Sequence, residues 1–177
     1  MLKQLLKDEI IKNAEKNWPR LTPEENLAAL DRAVAIHASI FGIEKPKVRL
    51  KELGLPGAQY DQRTNTITID VSKEGGRFAD SAFGNIIHEA AHAQQHQLTT
   101  DFLAGKIKPG DPRWLQAQIF ALNNGKLYVR PTKPGLTQKG IDYLVQPVEK
   151  HAGVLGGRVE RAFFELSQQR MKRELGR

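Results

Sequence analysis

The chain contains no cysteine. That absence excludes disulfide frameworks and thiolate metal sites, so a bound metal has to be held by histidine, aspartate or glutamate. Long apolar runs are also missing. The opening segment MLKQLLKDEIIKNAEKNW sets Leu2, Leu5, Leu6, Ile10 and Ile11 among charges, which gives neither the apolar stretch of a signal peptide nor the length of a membrane span. It reads as an amphipathic helix. No internal repeat and no low-complexity segment occurs, which sets aside solenoid architectures. A length of 177 residues suits one domain with a sizeable core.

Acidic residues are outnumbered: 27 Lys and Arg face 20 Asp and Glu, for a net charge of +7. Such an excess would suit nucleic acid or another polyanion. The basic residues are scattered, however, and the densest cluster, RVERAFFELSQQRMKRELGR, alternates in sign as the solvated face of a terminal helix does. Nucleic acid is therefore not the expected partner. A basic binding module with a structural or absent metal stands as the alternative to an enzyme.

Along the chain, LTPEENLAALDRAVAIHASIFGI opens with a capping box in which Thr22 caps, Pro23 takes the first helical position and Glu25 reaches back. Gly42 marks the stop. KVRLKEL and AQYDQRTNTITIDV are β-branched and alternating, with a polar turn at Asp61 to Asn65, so they predict a small sheet with a hairpin. Gly75 and Gly76 break the chain before a helix over residues 78–98 with Phe83, Ile86, Ile87 and Ala90 on its apolar face. DPRWLQAQIFALNNG predicts a helix capped by Asp111 and stopped by Gly125. KLYVRPTKPGL offers a short strand, and Pro147 interrupts a helical pattern that starts near Gln138 and resumes to about Leu175. The expectation is an α+β fold, mostly helical with a small sheet preceding the central helix. Residues 1–45 supply N-terminal helices, 46–98 the sheet and central helix, and 99–177 a further helical part.

The central helix carries His-Glu-x-x-His at residues 88–92. Residues four apart project from one helix face, about 6 Å apart along the axis, so His88 and His92 can offer two imidazoles to one metal. Glu89 lies beside them, placed to act as general base on a water at that metal. A shuffled chain of this composition spells the pattern roughly once in a hundred tries. The setting, a hairpin and a glycine break before a buried-looking helix, therefore carries weight. The bland reading leaves both histidines hydrogen-bonded in a polar helix face.

Catalytic zinc needs a third protein ligand and an open fourth position. His96, His151, Glu149, Glu160 and Asp142 are the candidates. His96 lies about 6 Å beyond His92 on the same helix, too far to share a tetrahedral centre. Glu149 falls in the first turn after Pro147, and Ala152, Gly153 and Gly156 follow on its side, a thin face that permits close helix approach toward the side carrying Ala91. His151 points away from Glu149, and Glu160 could ligate only in its place. A solvated Glu149 above a tightly packed helix pair is the plain alternative.

NTITID, FGNIIHEAAHAQQ and YLVQPVEKHA together resemble the zincin metallopeptidases of the gluzincin kind, in which a downstream helix supplies a glutamate ligand. The chain is most similar to zincin-like domains of bacterial toxins and secreted effectors, with IIHE-x-x-H followed by Y-x-x-x-P-x-E-x-x-A. The resemblance covers about residues 58–98 and 140–157, and the long segment holding the Trp114 helix departs from the compact pattern. It implies a zinc peptidase in which His88, His92 and Glu149 hold Zn2+, Glu89 is the base, and a protein or peptide is the substrate. It also implies an inhibitor or immunity protein as partner, and TNTITID as a strand whose edge pairs with extended substrate. Tyr143, and next to it Tyr128, are the aromatics to consider for stabilising a tetrahedral oxyanion. The absence of a signal peptide fits a cytoplasmic protein or one delivered by a specialised secretion system.

Overall fold

The computed structural model describes residues 1–51, 57–70, 79–125, 127–129 and 138–176. The elements run α1 (Leu2–Leu5), α2 (Glu9–Asn17), α3 (Pro23–Phe41), β1 (Lys47–Lys51), β2 (Ala58–Asp61), β3 (Thr66–Asp70), α4 (Ala79–Leu103), α5 (Trp114–Asn124), α6 (Gln138–Val145) and α7 (Pro147–Leu175). This is a mostly helical α+β fold with one three-stranded sheet. Among the described residues no helix is long and apolar enough to cross a membrane. The Gly75–Gly76 break and positions 126 and 130–136 of the segment expected to hold a short strand lie outside the described residues.

Local signals place most element ends. Thr22 Oγ1 accepts from Glu25 N at 3.2 Å while Glu25 Oε2 accepts from Thr22 N at 2.8 Å, and Gly42 closes α3 at φ +63°. The expected N-terminal helix is instead two. Asp8 turns its carboxylate onto the N–H groups of Ile10 and Ile11, capping a new helix where apolar periodicity alone suggests continuation. Helix α5 starts two residues later than an Asp111 cap predicts, because that carboxylate binds Arg113 N at 2.8 Å and the Arg113 guanidinium at 2.7 Å. Leu127–Val129 form no strand; the Val129 N–H and carbonyl pair with the Gln146 side chain, at 3.1 and 3.0 Å.

The sheet order is β1-β3-β2, with β1 parallel and β2 antiparallel to β3. TNTITID is thus the central strand, bonded on both sides, and cannot offer an edge to a substrate. Every residue of β3 is buried, whereas β1 alternates exposed and half-buried positions, which is why the most β-branched strand takes the middle. The available edge beside α4 belongs to β2.

Helix α4 is the axis of the molecule. Phe83 on its first half stacks on Phe163 of α7 at 4.8 Å and meets Trp18 at 5.6 Å, inside a core that also holds Leu30, Val34, Ile67 and Ile87. A second, smaller core of Leu98, Ile107, Ala117, Phe120 and Val148 packs its far end. Beside the first core α4 and α7 approach until a Cβ at Gly156 would lie 2.6 Å from the Gly84 carbonyl oxygen, and one at Gly84 would lie 2.9 Å from Glu160 Cβ. The closest approach falls two turns before Ala91. Of the small residues following Glu149, Ala152 and Gly156 are buried while Gly153 is exposed.

Candidate metal centre

His88 and His92 lie on the middle turns of α4, and Glu149 comes to them from the first turn of α7. His92 Nε2 lies 3.1 Å from His88 Nε2, and Glu149 Oε2 lies 3.5 Å from His88 Nε2 and 3.6 Å from His92 Nε2. A tetrahedral ion with bonds of about 2.0–2.1 Å keeps its ligand atoms about 3.3 Å apart. The three atoms therefore match one face of such a tetrahedron. Glu89 also brings a carboxylate oxygen within 4.8 Å of both imidazoles. Of the two carboxylates Glu149 fits the third-ligand position better, because its oxygen is nearly equidistant from the two nitrogens. The Glu89 carboxylate is tied elsewhere, its Oε2 accepting the Tyr60 N–H at 2.8 Å.

The other candidates stand apart. His96 takes its Nδ1 to the Tyr60 hydroxyl at 3.3 Å, at the cleft wall. His151 faces Gln95 and lies against Phe120, with ring centroids 5.2 Å apart. Glu160 packs over Gly84, and neither it nor Asp142 lines the cleft.

Electrostatics follow from this crowding. Burial works to raise the Glu149 carboxyl, but the two imidazoles facing its oxygen outweigh it and hold the group at about 2. Burial opposes charge on His92 too, and the carboxylates of Glu149 and Glu89 more than compensate, so its pKa rises. Glu89 is raised chiefly by burial. Tyr143 lines the cleft near Glu149, and burial plus that carboxylate raise it. The result is an acceptor-rich, partly desolvated pair of carboxylates around two imidazoles, a donor set suited to a divalent ion.

A second layer, which the sequence reading missed, holds these side chains still. Gln95, fully buried, accepts from His92 Nδ1 at 3.0 Å, which puts the ring proton on Nδ1 and leaves Nε2 as the free lone pair. The same amide donates to the Val148 carbonyl at 2.8 Å, one residue before Glu149. One side chain thus references α4 and α7 to each other. The N-terminus of α7 has no side-chain cap of its own; Val148 N donates instead to Asn123 Oδ1 at 3.1 Å, from the end of α5. Gln146 accepts from Asn123 and bridges Val129. The segment that departs from the compact pattern is therefore the clamp on the turn that presents Glu149. Buried amides invite this reading only in hindsight, since their partners are distant in sequence; the Gln94–Gln95 pair beside His92 was the available hint.

These groups open into a cleft of about 820 Å³, walled by β2 on one side and by Tyr143, Tyr128 and Asn124 on the other. No protein-family profile, curated protein or solved structure matches this chain.

Proposed function

We propose that the chain is a zinc-dependent endopeptidase of the gluzincin kind, acting on a protein or peptide substrate. The observation that carries this reading is the triangle of His88 Nε2, His92 Nε2 and Glu149 Oε2, with sides of 3.1, 3.5 and 3.6 Å, beside the Glu89 carboxylate. Zinc held there would supply Lewis acidity, polarising the scissile carbonyl and acidifying water.

The chain's own groups supply the rest. Glu89 is held by the Tyr60 N–H through one oxygen, so the other is free to take a proton from the attacking water and return it to the leaving amine. Tyr143, which lines the cleft with Glu149, would be the donor for the developing oxyanion. Gln95 keeps the His92 lone pair aimed into the cleft. An extended substrate would lie along β2, whose outer side borders the cleft and is unpaired with any described strand. The resemblance to toxin and effector domains extends the proposal to a delivered protein countered by an inhibitor or immunity partner.

Glu89→Gln separates metal binding from chemistry. The variant should retain zinc and lose peptide hydrolysis by at least 10²-fold. Cleavage at the wild-type rate would sink the mechanism. Insensitivity of all activity to chelator, together with salt-steep binding of DNA or RNA, would favour the basic binding module instead.

A further inference from the structure

The cleft does not end at the ligand triangle. His88 and Glu149 also close one end of a second groove, of about 700 Å³, that runs along the exposed side of α7. We propose that this groove receives the flanking segment of an acidic peptide substrate, with Lys150, Arg158 and Arg161 meeting carboxylates on one side of the scissile bond. The inference names the substrate class of the peptidase reading and rests on it.

Charge is the first support. Lys150, Arg158 and Arg161 all line the groove and are exposed. Among the described residues none of the three has a carboxylate within ion-pair distance. Apart from Glu149 at the ligand triangle, the described lining residues include one carboxylate, Glu165, at the far end.

The groove floor is the second. Gly153 and Gly157 sit exposed inside α7, where glycine destabilises a helix relative to alanine. Gly156 between them is explained by the Gly84 contact, but a Cβ at Gly153 or Gly157 would meet nothing within 4 Å. Nothing among the described residues requires their missing side chains. Both line the groove, where a bare backbone lets an extended ligand lie against the helix. Leu144 and Val154, 64% and 45% exposed, give it apolar walls.

Spacing makes the proposal specific. At 1.5 Å per helical residue, Arg158 and Arg161 lie about 13 and 18 Å along α7 from Glu149. An extended peptide advances about 3.3 Å per residue, so the paired carboxylates fall about four to six residues from the scissile bond. A single-stranded nucleic acid is disfavoured because, among the described lining residues, the one aromatic ring is the His88 imidazole at the ligand triangle, which leaves no row of rings for successive bases to stack on.

The test uses full-length, zinc-loaded Glu89→Gln protein and fluorescein-labelled 14-residue peptides of one Ala/Gly/Val host sequence. These carry Glu, Lys or Gln at the fourth to sixth positions from the centre, and a 12-nucleotide single-stranded DNA is run beside them. Fluorescence anisotropy should show the Glu peptide binding roughly tenfold more tightly than the Gln peptide, with the gap closing in high salt. Arg158→Glu with Arg161→Glu should reverse the order of the Glu and Lys peptides. Gly153→Ala with Gly157→Ala should raise the urea midpoint and still weaken the Glu peptide, a combination that a purely structural role for these glycines does not give. Equal binding of Glu and Gln peptides, an unchanged preference in the double Arg variant, or tighter binding of the oligonucleotide overturns the proposal. Wild-type digestion of a proteome-derived peptide library, read by mass spectrometry, separates the two levels. Cleavage without acidic enrichment removes the groove proposal alone. No cleavage beside an intact acidic preference removes the peptidase reading, and with it the groove's role as a substrate subsite.

Discussion

Gly156 and Gly157 are neighbours on α7, yet the structure predicts opposite results from the same substitution. Alanine at either position gains about 0.8–1.0 kcal/mol of helix propensity. At Gly157 the new methyl meets nothing within 4 Å, so Gly157→Ala should stabilise the protein by that amount. At Gly156 it would lie 2.6 Å from the Gly84 carbonyl oxygen and 3.1 Å from His88 Cβ. A carbon–oxygen contact relaxes near 3.3 Å, so α4 and α7 must part by about 0.7 Å. Overpacking of this kind costs about 1–3 kcal/mol. Because the propensity gain is common to both variants, their difference isolates the overpacking cost. Urea unfolding in the presence of chelator, with equal m-values, measures it free of any metal contribution. Zinc affinity is the second readout, expected to fall on the order of tenfold in Gly156→Ala, since His88 carries one of the displaced atoms, and to hold in Gly157→Ala. Unfolding free energies within about 0.3 kcal/mol of each other would refute the close-packed helix pair as the support of the site.

Gln95→Ala removes the amide that orients His92 and grips Val148, and zinc affinity should drop about 10- to 100-fold while secondary structure is kept; an unchanged affinity by chelator competition would deny Gln95 a positioning role. His37 gives a pH dependence separate from the metal centre. Burial, with the His151 charge adding to it, lowers its pKa from 6.5 to about 4, so between those values the unfolded chain binds the extra proton. The stability contribution is complete above about pH 6.5 and is lost as the pH falls toward 4, on the order of 3 kcal/mol in all. His37→Phe should flatten that slope in urea midpoints measured against pH, and an unaltered slope would assign it to other groups.

The parts of the site written in local pattern could be read from the sequence. The four-residue spacing of His88 and His92, the start of α7 at Pro147 and the place of Glu149 in its first turn all follow from helix geometry and proline chemistry. What depends on pairing between distant segments could not. The strand pattern of TNTITID is the same in an edge strand as in a central one, and only its bonding to both β1 and β2 decides the matter. The small face following Glu149 predicts a close helix contact without fixing its register, which falls at Gly84 rather than near Ala91. The Asn123–Gln146–Val129 clamp joins side chains whose polar partners no periodicity announces. At the N-terminus apolar spacing favoured one helix, and the carboxylate of Asp8 started a second.

The account stands on a three-ligand centre made by two helices. Isothermal titration of zinc into chelator-stripped wild-type protein and Glu149→Ala tests it most directly. One site per wild-type chain, weakened at least tenfold in the variant, is the predicted result. Failure of the wild type to bind zinc at neutral pH, or equal affinity in Glu149→Ala, would contradict the centre and the function proposed from it.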